Sequence, residues 1–175
     1  MELIHCKDEH LDLVSDMYGS VVRHLLENIN YPNWSIAYPC RESVREAIAQ
    51  GGQYACVENG SVLGAFVLND NPGGNYEAGD WHVSLKRGEF LVIHTLAVAP
   101  SAGRRGVGGY MVDCCIALAR RKGYRAIRLD VVPGNVPAQR LYQGKGFTFA
   151  GARDLLRGID EIPLFELYEL NFETV

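Results

Sequence analysis

The sequence has no long apolar run: its longest, Val62 to Leu68, falls far short of the about 20 residues that a membrane-crossing helix needs. Acids at Glu2, Asp8 and Glu9 stand where a signal peptide would carry its apolar core. The expected compartment is therefore the cytoplasm, with no membrane partner. Five cysteines, an odd number, lie scattered at Cys6, Cys40, Cys56 and the adjacent Cys114 and Cys115. Neither a disulfide framework nor zinc-ligand spacing can be drawn through them, so no metal is expected. The glycine-rich turn at residues 106–109 lacks the Lys-Ser/Thr that a nucleoside-triphosphate loop requires. It fits the dinucleotide fingerprint poorly, because arginines sit where that turn must be tight and no repeated strand–helix unit precedes it.

What remains is an ordinary globule. The chain has 175 residues, 47% hydrophobic and 22% charged, which suits one domain over 1–175 with a core of its own. The net charge of −4 is unevenly spread. Residues 104–145 hold nine basic side chains against Asp113 and Asp130, a net of +7, whereas the other 133 residues carry 8 basic and 19 acidic groups. A positive segment in an acidic chain fits a polyphosphate ligand at one end and a cationic acceptor elsewhere. A nucleic-acid surface would need a broader basic field.

Phe90 to Gly109 is the stretch that organises the rest. Phe90 to Val98 is almost wholly apolar and stops at Pro100, as a central strand covered on both faces does. Val107, Tyr110, Met111, Cys114, Ala117, Leu118 and Arg121 then recur at helical spacing, predicting a helix over about 106–122. Its first turn leaves backbone N–H groups unpaired and positive. Gly106, Gly108 and Gly109 remove the side chains that would keep a ligand from those donors, and Arg104 and Arg105 add charge. The stretch suits a phosphate; close helix–strand packing would also explain the glycines.

The remaining chain reads as a strand at Leu3–Cys6, a helix over 9–27 capped by Asp8, and an aromatic, proline-bearing loop over 28–40. A helix over 41–50 stops at Gly51-Gly52, and Asn59-Gly60 joins strands Gln53–Glu58 and Ser61–Asn69 in a hairpin. A long polar loop, 70–89, precedes the organising strand. After the helix come strand Ala126–Val132, a short helix Asn135–Lys145 with Pro137 in its first turn, and strands 147–152 and 162–172.

Asn135, Ala138, Leu141, Tyr142, Gly146 and Phe147 form the pattern N-x-x-A-x-x-L-Y-x-x-x-G-F. With L-A-V-x-P and R-R-G-V-G-G upstream, this closely resembles the GNAT family, the GCN5-related N-acetyltransferases. The resemblance implies an α/β (α+β) fold with a mixed sheet of about seven strands and about four helices. The fourth and fifth strands are expected to splay apart around acetyl-CoA. It places the pyrophosphate on Arg104, Arg105, Gly106, Val107, Gly108 and Gly109, and the pantetheine arm beside Leu96, Ala97 and Val98, with Asn135 and Ala138 near it. The side chain that opens the family's loop is replaced here by Gly103, a vacancy open to either arginine.

The implied reaction moves an acetyl group from acetyl-CoA to a primary amine by direct attack. Tyr142 matches the family's general acid, which protonates the leaving thiolate. His94, four residues before Val98, is similar to a proton-relaying histidine of the arylalkylamine-acetylating branch. His82 and Glu89 are weaker candidates for the base. Tyr31, Trp34 and Trp81 could line an acceptor wall, and Glu77, Asp80 and Glu89 could receive a cation. The expected acceptor is a small-molecule or peptide amine, and a homodimer stays open. A non-catalytic acyl-CoA-binding module is the alternative reading, opposed by the presence of Tyr142.

Overall fold

The computed structural model describes residues 1–172. In chain order the elements are β1 (Glu2–His5), α1 (Leu11–Glu27), α2 (Arg41–Ala49), β2 (Gln53–Glu58), β3 (Ser61–Asn69) and β4 (Phe90–Val98). There follow α3 (Val107–Arg121), β5 (Ala126–Val131), α4 (Val136–Gly144), β6 (Thr148–Arg153) and β7 (Phe165–Asn171). The order matches the patterning, with small shifts at the ends. Asp8 does not cap α1. It opens a separate 3-10 turn, Asp8–His10, and the His10 ring accepts the Lys7 N–H at 2.9 Å, so that amide is satisfied without an aspartate cap.

The seven strands follow the order β1-β2-β3-β4-β5-β7-β6. The β4–β5 pair is parallel, while β1–β2, β2–β3, β5–β7 and β6–β7 are antiparallel. The parallel ladder joins Phe90 to Ala126, Leu91 to Ile127 and Val92 to Arg128; β4 runs on to Val98 and β5 to Val131. Asn59 and Gly60 both take positive φ (50° and 77°), the turn whose twist suits a two-residue hairpin. Among the described residues, no helix is long and apolar enough to cross a membrane.

Two compact units make up the chain. One comprises Met1–Leu68 with His94–Cys114. There α1 buries Val14, Met17, Tyr18, Val21 and Val22, and α2 buries Val44, Ala47 and Ile48. Gly64 on β3 permits a close approach: a Cβ there would lie 2.6 Å from the Ala97 carbonyl oxygen and 2.8 Å from Met111 Cε. Only a residue without a side chain fits.

The other unit comprises Asn69–Ile93 and the residues from Cys115 onward. Alternate residues of β5 face opposite sides. On one side Phe90, Val92, Ala126 and Leu167 pack under Tyr76, Leu155 and Ile162, with Trp81 and Leu85 partly buried against them. The 70–89 and 154–164 segments thus contribute directly to this core. Truncating the fully buried Leu155 to alanine would cost about 2–5 kcal/mol.

Candidate functional site

The first unit holds the end of β4, the turn after it and the start of α3. Thr95 sits inside β4 at φ 46°, a left-handed value that a β-branched residue rarely adopts. The buried Tyr18 hydroxyl donates to the Thr95 carbonyl at 2.9 Å, helping to hold that irregular backbone. Burial pushes the Tyr18 phenol well above its ordinary pKa, so it remains a donor. His94 lies half-buried beside this irregularity.

Beyond β4 the chain makes a 3-10 turn, Pro100–Ala102, and the Tyr110 N–H bonds the Gly106 carbonyl at 3.0 Å as α3 begins. The amides of Val107, Gly108 and Gly109 therefore lie in a first turn, where helix geometry offers them no acceptor. Val107 is buried and pins the turn, whereas residues 103–106 are exposed. Gly106 has φ 76° and open space where a side chain would stand, and the first turn contains no acid. An open, acid-free helix start of this kind fits a pyrophosphate.

The two arginines differ. Arg105 is ion-paired with Glu58 at the end of β2, and its hydrogen bond is the leading cause that holds the Glu58 carboxyl below its usual pKa. Arg104, exposed at φ 62°, makes no ion pair or side-chain hydrogen bond among the described residues. Of the two, Arg104 is the one unengaged beside the vacancy at Gly103.

The second unit holds α4. Asn135 caps it by accepting the Ala138 N–H at 3.3 Å, and Pro137 occupies the first turn, where no donor is lost. Tyr142 is 7% exposed, with its ring edge-on to Phe147 at 5.5 Å. Burial raises its phenol well above the ordinary value, with smaller contributions from Cys115 and Asp130. The hydroxyl thus keeps its proton throughout the physiological range.

The expected acceptor wall is divided. Trp34 lies edge-on to Tyr18 at 6.3 Å, and Asn30 ties its loop to the Trp34 main chain at 2.7 and 3.0 Å. Tyr31 is half-buried in the same loop. Trp81, by contrast, is committed to packing: its indole donates to the Tyr76 carbonyl at 2.5 Å, and the Arg128 guanidinium lies 4.1 Å over its ring. Glu89 pairs with Arg125 at 2.9 Å and Asp80 with Arg153 at 2.5 Å, so neither stands ready for a cation.

Sequence reasoning passed over four charged residues of this unit. Arg128 and Glu169 pair across β5 and β7, while Asp130 receives both a bidentate Arg157 (2.8 and 2.8 Å) and the Tyr76 hydroxyl (2.6 Å). The available signal was charge inside otherwise apolar strands, Arg128 and Asp130 in β5 and Glu166 and Glu169 in β7.

The acetyltransferase (GNAT) family profile matches residues 22–147. The chain belongs to the GNAT family. It is 22% identical over 140 residues to an uncharacterized N-acetyltransferase of Methanocaldococcus jannaschii, covering 80% of this chain and 55% of that one, so it spans about half the length of that relative. A GNAT-family acetyltransferase structure from Listeria monocytogenes superposes with TM-score 0.74 at 18% identity, covering 98% of this chain and 94% of the other. The yncA structure of Salmonella typhimurium, solved with its cofactor acetyl-CoA, gives TM-score 0.70 at 15% identity over 100% and 95% of the two chains. These similarities extend the GNAT fold over nearly the whole chain.

Proposed function

We propose that this protein is an N-acetyltransferase that uses acetyl-CoA to acetylate a primary amine of a small molecule or peptide. The observation that carries the reading is the open, acid-free start of α3 directly after β4 in a GNAT chain. When bound, acetyl-CoA supplies an acetyl group activated as a thioester. The amides of Val107, Gly108 and Gly109 hold the pyrophosphate, with Arg104 adding the charge that position 103 lacks and Arg105 lending a partly neutralised one. Leu96, Ala97 and Val98 offer main-chain groups to the extended arm, as an added strand would use them. Ala138 and the Asn135 cap begin the helix that carries Tyr142.

Tyr142 holds its proton at Oη for a departing thiolate. A buried phenol is a weak acid, so the transfer depends on closeness to the sulfur rather than on an intrinsic pKa match. His94 relays the amine's proton, and Tyr31 and Trp34 line the acceptor side. Trp81 is left out of that wall because its ring is engaged by Arg128. The deciding experiment follows thiol release from acetyl-CoA across a panel of amines, beside calorimetry of acetyl-CoA binding. Release with at least one amine supports the enzyme. Binding without release from any amine hands the chain to the acyl-CoA-binding alternative.

A further inference from the structure

Thr95 marks a break in β4. The strand is buried from Phe90 to Ile93 and becomes partly open at His94, Thr95 and Leu96. The Thr95 φ of 46° puts a β-branched residue in a conformation that persists only where its surroundings impose it. His94, Thr95 and Leu96 belong to the first unit, together with α1 and the start of α3.

One side chain supplies the constraint. Tyr18, 1% exposed on α1, donates its hydroxyl to the Thr95 carbonyl at 2.9 Å across 77 positions of chain. Gln53, a second polar side chain beside the phenol, spends its Nε2 on the Tyr54 and Phe66 carbonyls at 3.2 and 3.0 Å. The hold on the Thr95 carbonyl is therefore left to the phenol.

The Thr95 carbonyl and the Leu96 N–H belong to one planar trans peptide and point in opposite directions. A carbonyl tied to α1 thus turns the Leu96 N–H away from α1. Without the tie, a threonine would relax toward an ordinary strand conformation and re-aim that plane. Leu96 is also the member of the 96–98 stretch farthest along the chain from α3. With the pyrophosphate on α3, an arm lying along the strand comes to Leu96 nearest its thioester end.

We propose that Tyr18 is a positioning residue for the reaction: through the Thr95 carbonyl it aims the Leu96 N–H at the acyl carbonyl of bound acetyl-CoA. The inference rests on the acetyl-CoA reading. An N–H fixed in that direction favours the charge that builds on the acyl oxygen as the amine attacks. Tyr18 itself is buried and acts only through one peptide.

The test uses the full chain, with calorimetry of acetyl-CoA and of CoA, which lacks the acyl carbonyl, beside turnover of an accepted amine. Tyr18→Phe keeps the ring against Trp34 and deletes the hydroxyl, so the fold and the amine KM should hold. Acetyl-CoA affinity should fall about fivefold, the worth of one neutral hydrogen bond, while CoA affinity stays. The kcat should fall about 10–10²-fold, as for a group misplaced by about 1 Å. Adding Thr95→Gly should restore much of both losses, because glycine takes a positive φ without being held there. In the wild type, the Leu96 amide NMR signal should move with acetyl-CoA and much less with CoA. If Tyr18→Phe folds only together with Thr95→Gly, the hold on residue 95 is supported; if neither folds, the Leu96 titration decides. Wild-type kcat and affinities in Tyr18→Phe, equal weakening of both ligands, no rescue by glycine, or a Leu96 signal that answers both ligands alike overturns the positioning role. A wild type that binds acetyl-CoA yet turns over no amine overturns the enzyme reading, and the calorimetry and NMR still judge Tyr18. One that binds neither ligand overturns the cofactor reading and this inference with it.

Discussion

Tyr142, the proposed acid, is held neutral by its surroundings. Its burial stabilises the neutral phenol, so a proton is always present at the oxygen, yet the same burial makes that proton harder to release. A thiolate whose conjugate acid has a pKa of about 8.5 is a weaker base than the phenolate, so the transfer depends on a short, well-aligned approach to the departing sulfur. Tyr142→Phe keeps the ring against Phe147 and deletes the proton. Turnover should fall by about 10²–10⁴ with acetyl-CoA affinity nearly unchanged, measured by thiol release and calorimetry. Full turnover in the variant would mean that water supplies the proton. The cysteines make a separate prediction. Burial pushes the Cys6 thiol up to about 12, and Cys56 and Cys115 are 0% exposed. All three should resist a thiol reagent at pH 8 in the native state and react at once on unfolding.

At the scale of elements, two short segments carry more than their length suggests. α4 depends on Asn135, whose side chain accepts one of the amides left unpaired at a helix start. Asn135→Ala should cost about 1 kcal/mol of stability, read by chemical denaturation. A much larger loss of acetyl-CoA affinity than of stability would show that the same side chain also touches the cofactor. At the start of α3, Gly108→Val should weaken acetyl-CoA binding at least tenfold in a folded protein. Unchanged affinity would sink the pyrophosphate placement. The 154–164 segment is tied down by Arg157, which bonds Asp130 twice, as well as the Gly73 and Pro72 carbonyls at 2.9 and 3.1 Å. Arg157→Ala removes these charge-assisted bonds from a partly buried pair, a loss of about 2 kcal/mol. Hydrogen exchange should then quicken in residues 72–78 before it does in β5. The hairpin and the α3 start were legible from sequence because their signals are local: Asn-Gly dictates a turn, and glycines open a helix start. The role of Arg157 was not legible, because its partners lie 27 and more than 80 residues away.

Over the whole molecule, buried phenols set the response to alkali. Tyr18, Tyr76, Tyr142 and Tyr168 all have raised pKa values, with burial the largest cause, and Tyr168 stands at about 12. An unfolded tyrosine ionises near pH 10. The folded state thus holds the proton more tightly, and this contribution to stability is complete below about pH 10 and is lost as pH rises toward the folded values. Denaturation midpoints should fall steadily above pH 10, with tyrosinate absorbance rising late and together with unfolding. Early, independent ionisation of all nine tyrosines would contradict this. The sequence by itself determined the element order, the hairpin, the open helix start and the family pattern through Tyr142, since each is written in neighbouring residues. Tertiary structure alone decided which arginine is engaged by Glu58, why Trp81 packs rather than lines a wall, and that Glu169 backs His82. Those outcomes depend on burial and on partners brought together across 47 to 87 positions of chain, where spacing carries no information.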